Sequence, residues 1–260
     1  MDTILDFPAL LRLIGERSDA FRAAVAAAPD LDAQVPTCPE WTLFDLAQHI
    51  GEGRRRWAAT VAAGPADAPP PASVWEGGAP RGREELSQWL AESTRLLLDA
   101  LGQAGPDRGC WTWWGPQSPP TSGAVARHQL QQLAVHTYDA QLAAGTGATA
   151  LPEEVALDGV EDFLFTCCAT TAPWPHEPCV VDYHASEGRS WRLALSAAGA
   201  HTTRLPAGGA QAGAGAAAFS ALGTAGQLVL ALYGRIPVSD LKVEGDVRIF
   251  EQLAAWEPEV

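Results

Sequence analysis

The stretch LQQLAVHTYDA, residues 130–140, has the spacing of a helix that carries polar side chains along one face. Gln132 and His136 are four residues apart, Asp139 follows three residues later, and Gln129 lies on the same stripe. An interior helix face is normally apolar, and departures from that pattern are expected mainly at functional sites. Two interpretations are open: the face holds a metal ion, or it is ordinary packing that includes one imidazole.

Apolar residues at helical spacing predict three more helices before this one. The segments between them are rich in Pro and Gly or irregular, as in AQVPTCPEW at 33–41, and predict loops. Thr42 is the predicted N-cap of the second helix, with Asp45 as the acid of a capping box. Four long helices joined by irregular loops predict a four-helix bundle. The predicted helices cover residues 4–28, 43–63, 83–105 and about 122–143.

After residue 150 the pattern changes to a mixture of helix and strand, and we predict two domains, 1–150 and 151–260. The second is predicted as a smaller α+β domain with antiparallel strands. Residues 207–219 are nearly all Gly and Ala and predict either a plain loop or a weak strand. The other predicted elements are a helix at 153–171, strands at 179–185, 190–196 and 201–206, a helix at 220–237, and a short strand, turn and closing helix at 239–256.

The charge balance narrows the range of partners. The chain has 31 Asp and Glu against 17 Lys and Arg, a formal net charge of -14, which repels phosphate backbones. The one basic run, Arg54, Arg55 and Arg56, is predicted to be a solvated helix face. No segment approaches the ~18–20 apolar residues that span a bilayer, and the N-terminus does not resemble a signal peptide. We expect a cytoplasmic protein that binds neither nucleic acid nor membrane.

The cysteine pattern predicts reduced thiols. Five cysteines is an odd number, two of them (Cys167 and Cys168) are adjacent, and the chain is too large to depend on a disulfide framework. Their spacings do not match a zinc ribbon, so a thiolate metal site is not expected.

Two histidines are candidates for a metal site in the bundle. His49 lies midway along the second helix and His136 midway along the fourth, so both could reach the bundle axis, where such sites are built. His128 stands eight residues before His136, which separates the two by about 12 Å along a helix, too far to share one ion. We predict that His128 is a surface residue. The spacing alone does not decide between a metal site and satisfied histidines.

Two segments in combination resemble a known family. VPTCPEWTLFDLAQHIGEGRRRWA (35–58) and VARHQLQQLAVHTYDAQLAAG (125–145) are similar to the mycothiol-dependent maleylpyruvate isomerase-like proteins of the DinB-like superfamily. LVLALYGRIP (228–237) and LKVEGDVRIFEQLAAW (241–256) resemble the smaller C-terminal domain of that family. The resemblance therefore covers nearly the whole chain.

The resemblance implies a divalent metal, usually zinc, held by a histidine of the second helix and by a carboxylate and a histidine four apart on the fourth. By motif these positions are His49, Gln132 and His136. Gln132 departs from the pattern, because an amide oxygen is a neutral and weaker ligand that compensates the charge of zinc poorly. With Gln132 in place of the carboxylate, three outcomes are open: a weaker zinc site, a site for a different ion, or no metal site. Asp139 is either an acceptor that orients an imidazole, or a surface acid or salt-bridge partner.

The resemblance also implies mycothiol as a low-molecular-weight thiol and a small electrophilic substrate. A thiol on a divalent cation is deprotonated and can attack an electrophilic carbon in a double-bond isomerisation or a conjugation. Arg235 could bind a substrate carboxylate, and Trp41 and Trp111 could wall a pocket between the domains. Alternatively, Arg235 is a surface residue, and Trp41 and Trp111 are aromatic residues of the core or of a lid. The tryptophans of CWTWWGPQSPP (110–120) either cap an apolar substrate or anchor a loop.

Two hypotheses of different class remain. The chain is a metal-dependent thiol enzyme, an isomerase or S-transferase, that acts as a monomer or homodimer. Alternatively it is a diverged member with a weakened or absent metal site, either a metal-free biosynthetic enzyme or a small-molecule binding protein. Gln132 favours the second hypothesis.

Overall fold

A computed structural model describes residues 5–206 and 216–256 of the chain. It separates into two compact units. The first comprises Met1–Thr112 with Pro120–Ala150, and the second comprises Trp113–Pro119 with Leu151–Val260.

The described part of the first unit is built on four long helices, as predicted. Their ends follow from local chemistry: Asp6 caps the first helix through the backbone N–H of Ala9, and Thr42 and Asp45 form the predicted capping box. A Gly follows the second and third helices in a left-handed conformation that other residues rarely adopt. The helices are α1 (Phe7–Ala27), α2 (Leu43–Ala63), α3 (Arg83–Ala104) and α4 (Ser122–Ala143).

The segment between α1 and α2 was predicted as a loop, and this prediction is wrong in part. It contains a small antiparallel pair, β1 (Gln34–Val35) and β2 (Cys38–Thr42). Val35 is fully buried in the apolar core of this unit, which anchors the pair against the bundle. The segment is too short and too polar to show a strand pattern, so tertiary packing decided its structure.

α2 and α3 approach each other closely at Gly51. A Cβ on Gly51 would lie 1.8 Å from the Trp89 ring, so the indole packs directly on the α2 backbone. Gly51 follows His49 by two residues on α2, so this contact fixes that part of the helix against α3.

The prediction that Arg54, Arg55 and Arg56 form a solvated face is wrong for Arg54. Its side chain is buried, with 2% exposure, and donates from Nη1 to the hydroxyl of Thr94 on α3. Three consecutive residues spread over about 200° of a helix, so at least one of them turns toward the interior of a packed bundle. Burial lowers the pKa of the Arg54 guanidinium to about 9, and the charge of Arg22 adds to the effect.

The described part of the second unit contains a five-stranded sheet with helices. The three predicted antiparallel strands are confirmed, but the helix predicted from residue 220 is wrong at its start, because a strand occupies 219–223. This strand pairs parallel to the first strand of the sheet. The strands are β3 (Cys179–Ala185), β4 (Ser190–Ser196), β5 (Gly199–Leu205), β6 (Phe219–Gly223) and β7 (Lys242–Gly245). Their order in the sheet is β5-β4-β3-β6-β7.

The helices of this unit are shorter than predicted. The helix predicted at 153–171 ends as α5 (Glu153–Asp162) and continues as a π-helical turn over Phe163–Cys167. α6 (Ala225–Leu232) begins at a capping box of Thr224 and Gln227, and α7 (Arg248–Ala255) closes the described chain. Of the Gly/Ala-rich segment 207–219, residues 207–215 lie outside the described residues, and Phe219 begins β6.

Glu161 of α5 joins that helix to the sheet. Its carboxylate accepts two hydrogen bonds from the Arg204 guanidinium, at 2.7 and 2.6 Å, and one from the Trp191 indole at 3.4 Å. Burial acts to raise the pKa of Glu161, but these hydrogen bonds and the Arg204 charge outweigh it and lower the pKa. The carboxylate therefore stays ionised inside the unit.

Candidate metal centre

His49 of α2 and His136 of α4 come together inside the helical unit. Their ring centres are 5.3 Å apart and the rings are nearly perpendicular, with 77° between their planes. Trp41, just before α2, lies over the pair, with its ring centre 4.7 Å from that of His49 and 6.1 Å from that of His136. All three side chains are partly buried. Two imidazoles and an indole from separate elements therefore meet in one cluster.

Asp139 fixes the orientation of the His136 ring. Its Oδ2 lies 2.8 Å from Nδ1 of His136, and its Oδ1 accepts a 2.6 Å hydrogen bond from the hydroxyl of Thr37. The thiol of Cys38 lies 3.9 Å from the same Oδ2. Asp139 has 0% exposure, which excludes the interpretation of Asp139 as a surface acid. A carboxylate beside Nδ1 favours the tautomer with the proton on that nitrogen, and Nε2 is then the ring nitrogen left for another partner.

Sequence reasoning missed Thr37 and Cys38 as part of this network. Both lie in the segment that was predicted as a loop, and they are more than 100 residues from Asp139 along the chain. The β1–β2 pair, in which Val35 pairs with Cys38, brings them to α4. The one signal in the sequence was their position inside the motif that begins at Val35.

His49 is neutral at physiological pH. Burial lowers its pKa to about 4, and the nearby His136 and Arg56 act in the same direction. A histidine must be neutral to donate its nitrogen to a metal ion, so His49 is in the protonation state of a ligand.

His128 is buried, with 4% exposure, so its prediction as a surface residue is wrong. The prediction failed because α4 is buried on most of its circumference, and its buried residues include polar ones such as Gln131 and Thr137. The helical pattern cannot separate inside from outside on such a helix. The argument that His128 and His136 cannot share one ion is independent of this error, because it rests on their distance along the helix.

Trp111 and Arg235, the other predicted site residues, each have contacts within their own unit. Trp111 stacks on Trp57 within the helical unit, with ring centres 6.2 Å apart. Arg235 belongs to the second unit, where its Nη1 donates to the carbonyl of Tyr233 at 2.6 Å. Trp113 and Trp114 also belong to the second unit and contact each other edge to face. The pocket-lining and substrate-binding roles of Trp111 and Arg235 stay predictions.

Family models match both parts of the chain. Residues 11–141 match the mycothiol maleylpyruvate isomerase N-terminal domain, and residues 154–252 match the MDMPI C-terminal domain. The chain belongs to the mycothiol maleylpyruvate isomerase family. The resemblance carried by the two sequence motifs is therefore confirmed, and so is the predicted fold class of a helical bundle followed by an α+β domain.

Solved structures of the family share this fold. The chain is similar to a mycothiol-dependent maleylpyruvate isomerase, with 16% identity and a TM-score of 0.59, and to a histidine-to-alanine mutant of that enzyme, with 14% identity and a TM-score of 0.60. In both comparisons 94% of this chain and 95% of the other are covered. Comparison with curated protein sequences gave no match. Within the described residues, no helix is both long and apolar enough to cross a bilayer.

The side chains at the centre fit the divalent metal that the family resemblance implies. Two imidazoles that share a tetrahedral zinc ion have ring centres about 5 Å apart, because each Zn–N bond is about 2.1 Å long. The observed 5.3 Å between His49 and His136 agrees with this spacing. The carboxylate of Asp139 behind His136 is the usual support for a metal-binding imidazole.

Gln132 would be the weakest ligand of this donor set. It precedes His136 by one helical turn, and its Oε1 accepts a 3.2 Å hydrogen bond from Nε2 of Gln129. An amide oxygen has no net charge, and here part of its acceptor capacity is already used. His49, Gln132 and His136 together would thus form a neutral donor set of modest affinity.

Proposed function

We propose that this protein is a metal-dependent enzyme that uses a low-molecular-weight thiol, mycothiol, to isomerise or conjugate a small electrophilic substrate. The observation that carries the proposal is the approach of His49 and His136, with Asp139 holding Nδ1 of His136. Family membership supports the same function.

His49, His136 and Gln132 would hold the metal. Asp139 keeps the proton of His136 on Nδ1, so that Nε2 is the nitrogen available to a ligand. His49 offers a neutral ring because burial keeps its pKa low. A divalent cation, when bound, lowers the pKa of a thiol enough to maintain a thiolate at neutral pH.

Trp41 is proposed to cover the thiol-binding side of the centre. Its indole lies against both imidazoles and excludes water from one side of them. A drier site strengthens the electrostatic interactions that a thiolate makes.

The first experiment measures metal and activity together. Protein purified without chelators is analysed for zinc, manganese and iron, and is assayed for mycothiol-dependent isomerisation of the double bond of maleylpyruvate, the substrate named for the similar solved enzyme. We expect bound metal near one equivalent in the parent chain and loss of both metal and activity in His49→Ala and His136→Ala. Full activity after complete removal of metal would refute the proposal.

A second candidate function is favoured by Gln132. The chain could be a family member without metal chemistry that binds or converts a small molecule in the same space. The hydrogen bond from Gln129 to Gln132 satisfies the amide oxygen without an ion and supports this alternative. Absence of metal from protein purified with zinc present, together with a stable fold, would favour this second function.

A further inference from the structure

A groove on the helical unit is separate from the metal centre. It lies between α2 and α3, has a volume of about 510 Å³, and is covered on one side by residues 74–76. Its floor is lined by small apolar side chains, Ala58, Ala59 and Ala62 of α2 and Ala100 of α3. The volume is in the range of small-molecule sites, about 300–1,000 Å³.

The groove opens on the side of α2 that faces away from His49. With 100° per residue, Arg55, Ala58, Ala59 and Ala62 point roughly 80–180° away from His49 around the helix, and they begin about 9 Å further along it. A ligand in the groove would therefore not touch the imidazoles. Binding there and metal binding can be tested independently.

Arg55 provides a fixed positive charge in the groove. Its Nε donates to the hydroxyl of Ser93 at 2.8 Å, and its guanidinium lies over the Trp89 ring at 5.1 Å. These two contacts hold the guanidinium plane and leave the terminal nitrogens for another partner. No carboxylate within residues 5–206 and 216–256 forms an ion pair with Arg55. A guanidinium in this state is suited to a planar carboxylate.

Trp75 adds an aromatic ring to the lining of the groove. Its indole nitrogen is buried and therefore lies out of reach of a ligand in the groove. The ring favours a ligand with a flat apolar body. The exposed apolar side chain of Val74, with 63% exposure, lies beside it at the groove edge.

Acidic residues at the edge limit the charge of a ligand. Glu76 and Asp99 both line the groove. Asp99 is paired with Arg95 at 2.6 Å, whereas Glu76 is exposed to solvent. A dianion would meet the negative charge of Glu76, but a single carboxylate directed at Arg55 would not have to approach it.

We propose that this groove binds a monocarboxylate with a flat apolar body, its carboxylate on Arg55 and its apolar part on the alanine floor and the Trp75 ring. The apolar floor and one oriented cation distinguish this ligand from sugars, polyamines and phosphorylated compounds. The site is independent of the proposed metal chemistry.

Calorimetry on the full chain tests this proposal with 2-naphthoate as probe and its neutral analogue 2-naphthamide as the matched ligand. We expect saturable 1:1 binding of 2-naphthoate, and binding of the amide at least tenfold weaker. Arg55→Gln should weaken naphthoate binding at least tenfold, Trp75→Ala should weaken it severalfold by removing the aromatic ring, and Ala59→Leu should abolish binding by filling the floor. Arg248→Gln, an exposed arginine of the second unit, is the matched control and should leave affinity unchanged.

Each possible result of these measurements either supports or overturns the proposal. Equal affinity for acid and amide, or unchanged affinity in Arg55→Gln, would overturn the proposal. Loss of binding in His49→Ala would also overturn it, because the probe would then occupy the metal centre. Thermal unfolding of each variant is measured in parallel. If Arg55→Gln is less stable, Ala59→Leu, which changes a half-exposed position and no charge, decides the outcome.

Discussion

Replacing Asp139 with Asn tests the support of the metal centre with the smallest possible change. The substitution preserves size and shape but removes the charge and one of two acceptor oxygens. In the parent structure one of those oxygens lies 2.8 Å from Nδ1 of His136, and the other accepts a 2.6 Å hydrogen bond from the Thr37 hydroxyl. With the side chain at 0% exposure, water has no access to replace the lost acceptor.

The expected magnitude follows from the two ways an amide can face His136. If the NH2 group faces Nδ1, that nitrogen must accept, and the ring proton moves to Nε2, the nitrogen meant for the metal. If the oxygen faces Nδ1, the hydrogen bond remains but the ring loses the negative charge that raises its basicity. Loss of such a partner lowers metal affinity 10–100-fold, or about 1.4–2.7 kcal/mol.

The assay is zinc titration of the full chain against a chromophoric chelator at fixed pH. Asp19→Asn serves as the matched control, since Asp19 is an exposed acid of α1 paired with Arg22. Circular dichroism and thermal unfolding establish that each variant folds. A zinc dissociation constant for Asp139→Asn within twofold of the parent value would refute the assigned role of Asp139.

Three further predictions follow from other features. Gln132→Glu should raise zinc affinity at least tenfold by adding a charged oxygen ligand, measured in the same titration; an unchanged value would exclude Gln132 from the ligand set. Burial raises the pKa of Cys110 to about 11 and of Cys168 to about 12. At pH 8 only about one Cys110 thiol in a thousand and about one Cys168 thiol in ten thousand is thiolate. Alkylation of both, mapped by mass spectrometry, should therefore be slow in the folded chain and should accelerate about tenfold per pH unit up to pH 10; rapid alkylation at pH 7 would contradict this. Arg54→Met should raise the free energy of unfolding, measured in urea, by about 1–4 kcal/mol. The substitution removes a buried charge that forms no ion pair with any residue that the structure describes, and Thr94 keeps its hydrogen bond to the Leu90 carbonyl; a destabilised variant would contradict the reasoning.

The local sequence determined the helices and much of the candidate site. Period, caps and turn residues are properties of neighbouring positions, so the bounds of α4 and the capping box at Thr42 could be read directly. The spacing of Gln132, His136 and Asp139 on one helix face is local in the same sense.

The tertiary structure decided what depends on positions far apart in the chain. The approach of His49 to His136, and of Thr37 to Asp139 across 102 residues, comes from packing and from the β1–β2 pair, neither of which a helical period encodes. Burial of Arg54 and His128 was likewise not predictable, because helices packed on several sides bury polar residues that a single-face pattern assigns to solvent. Sequence fixes which groups share a helix face, whereas only packing fixes which faces meet and how much water remains between them.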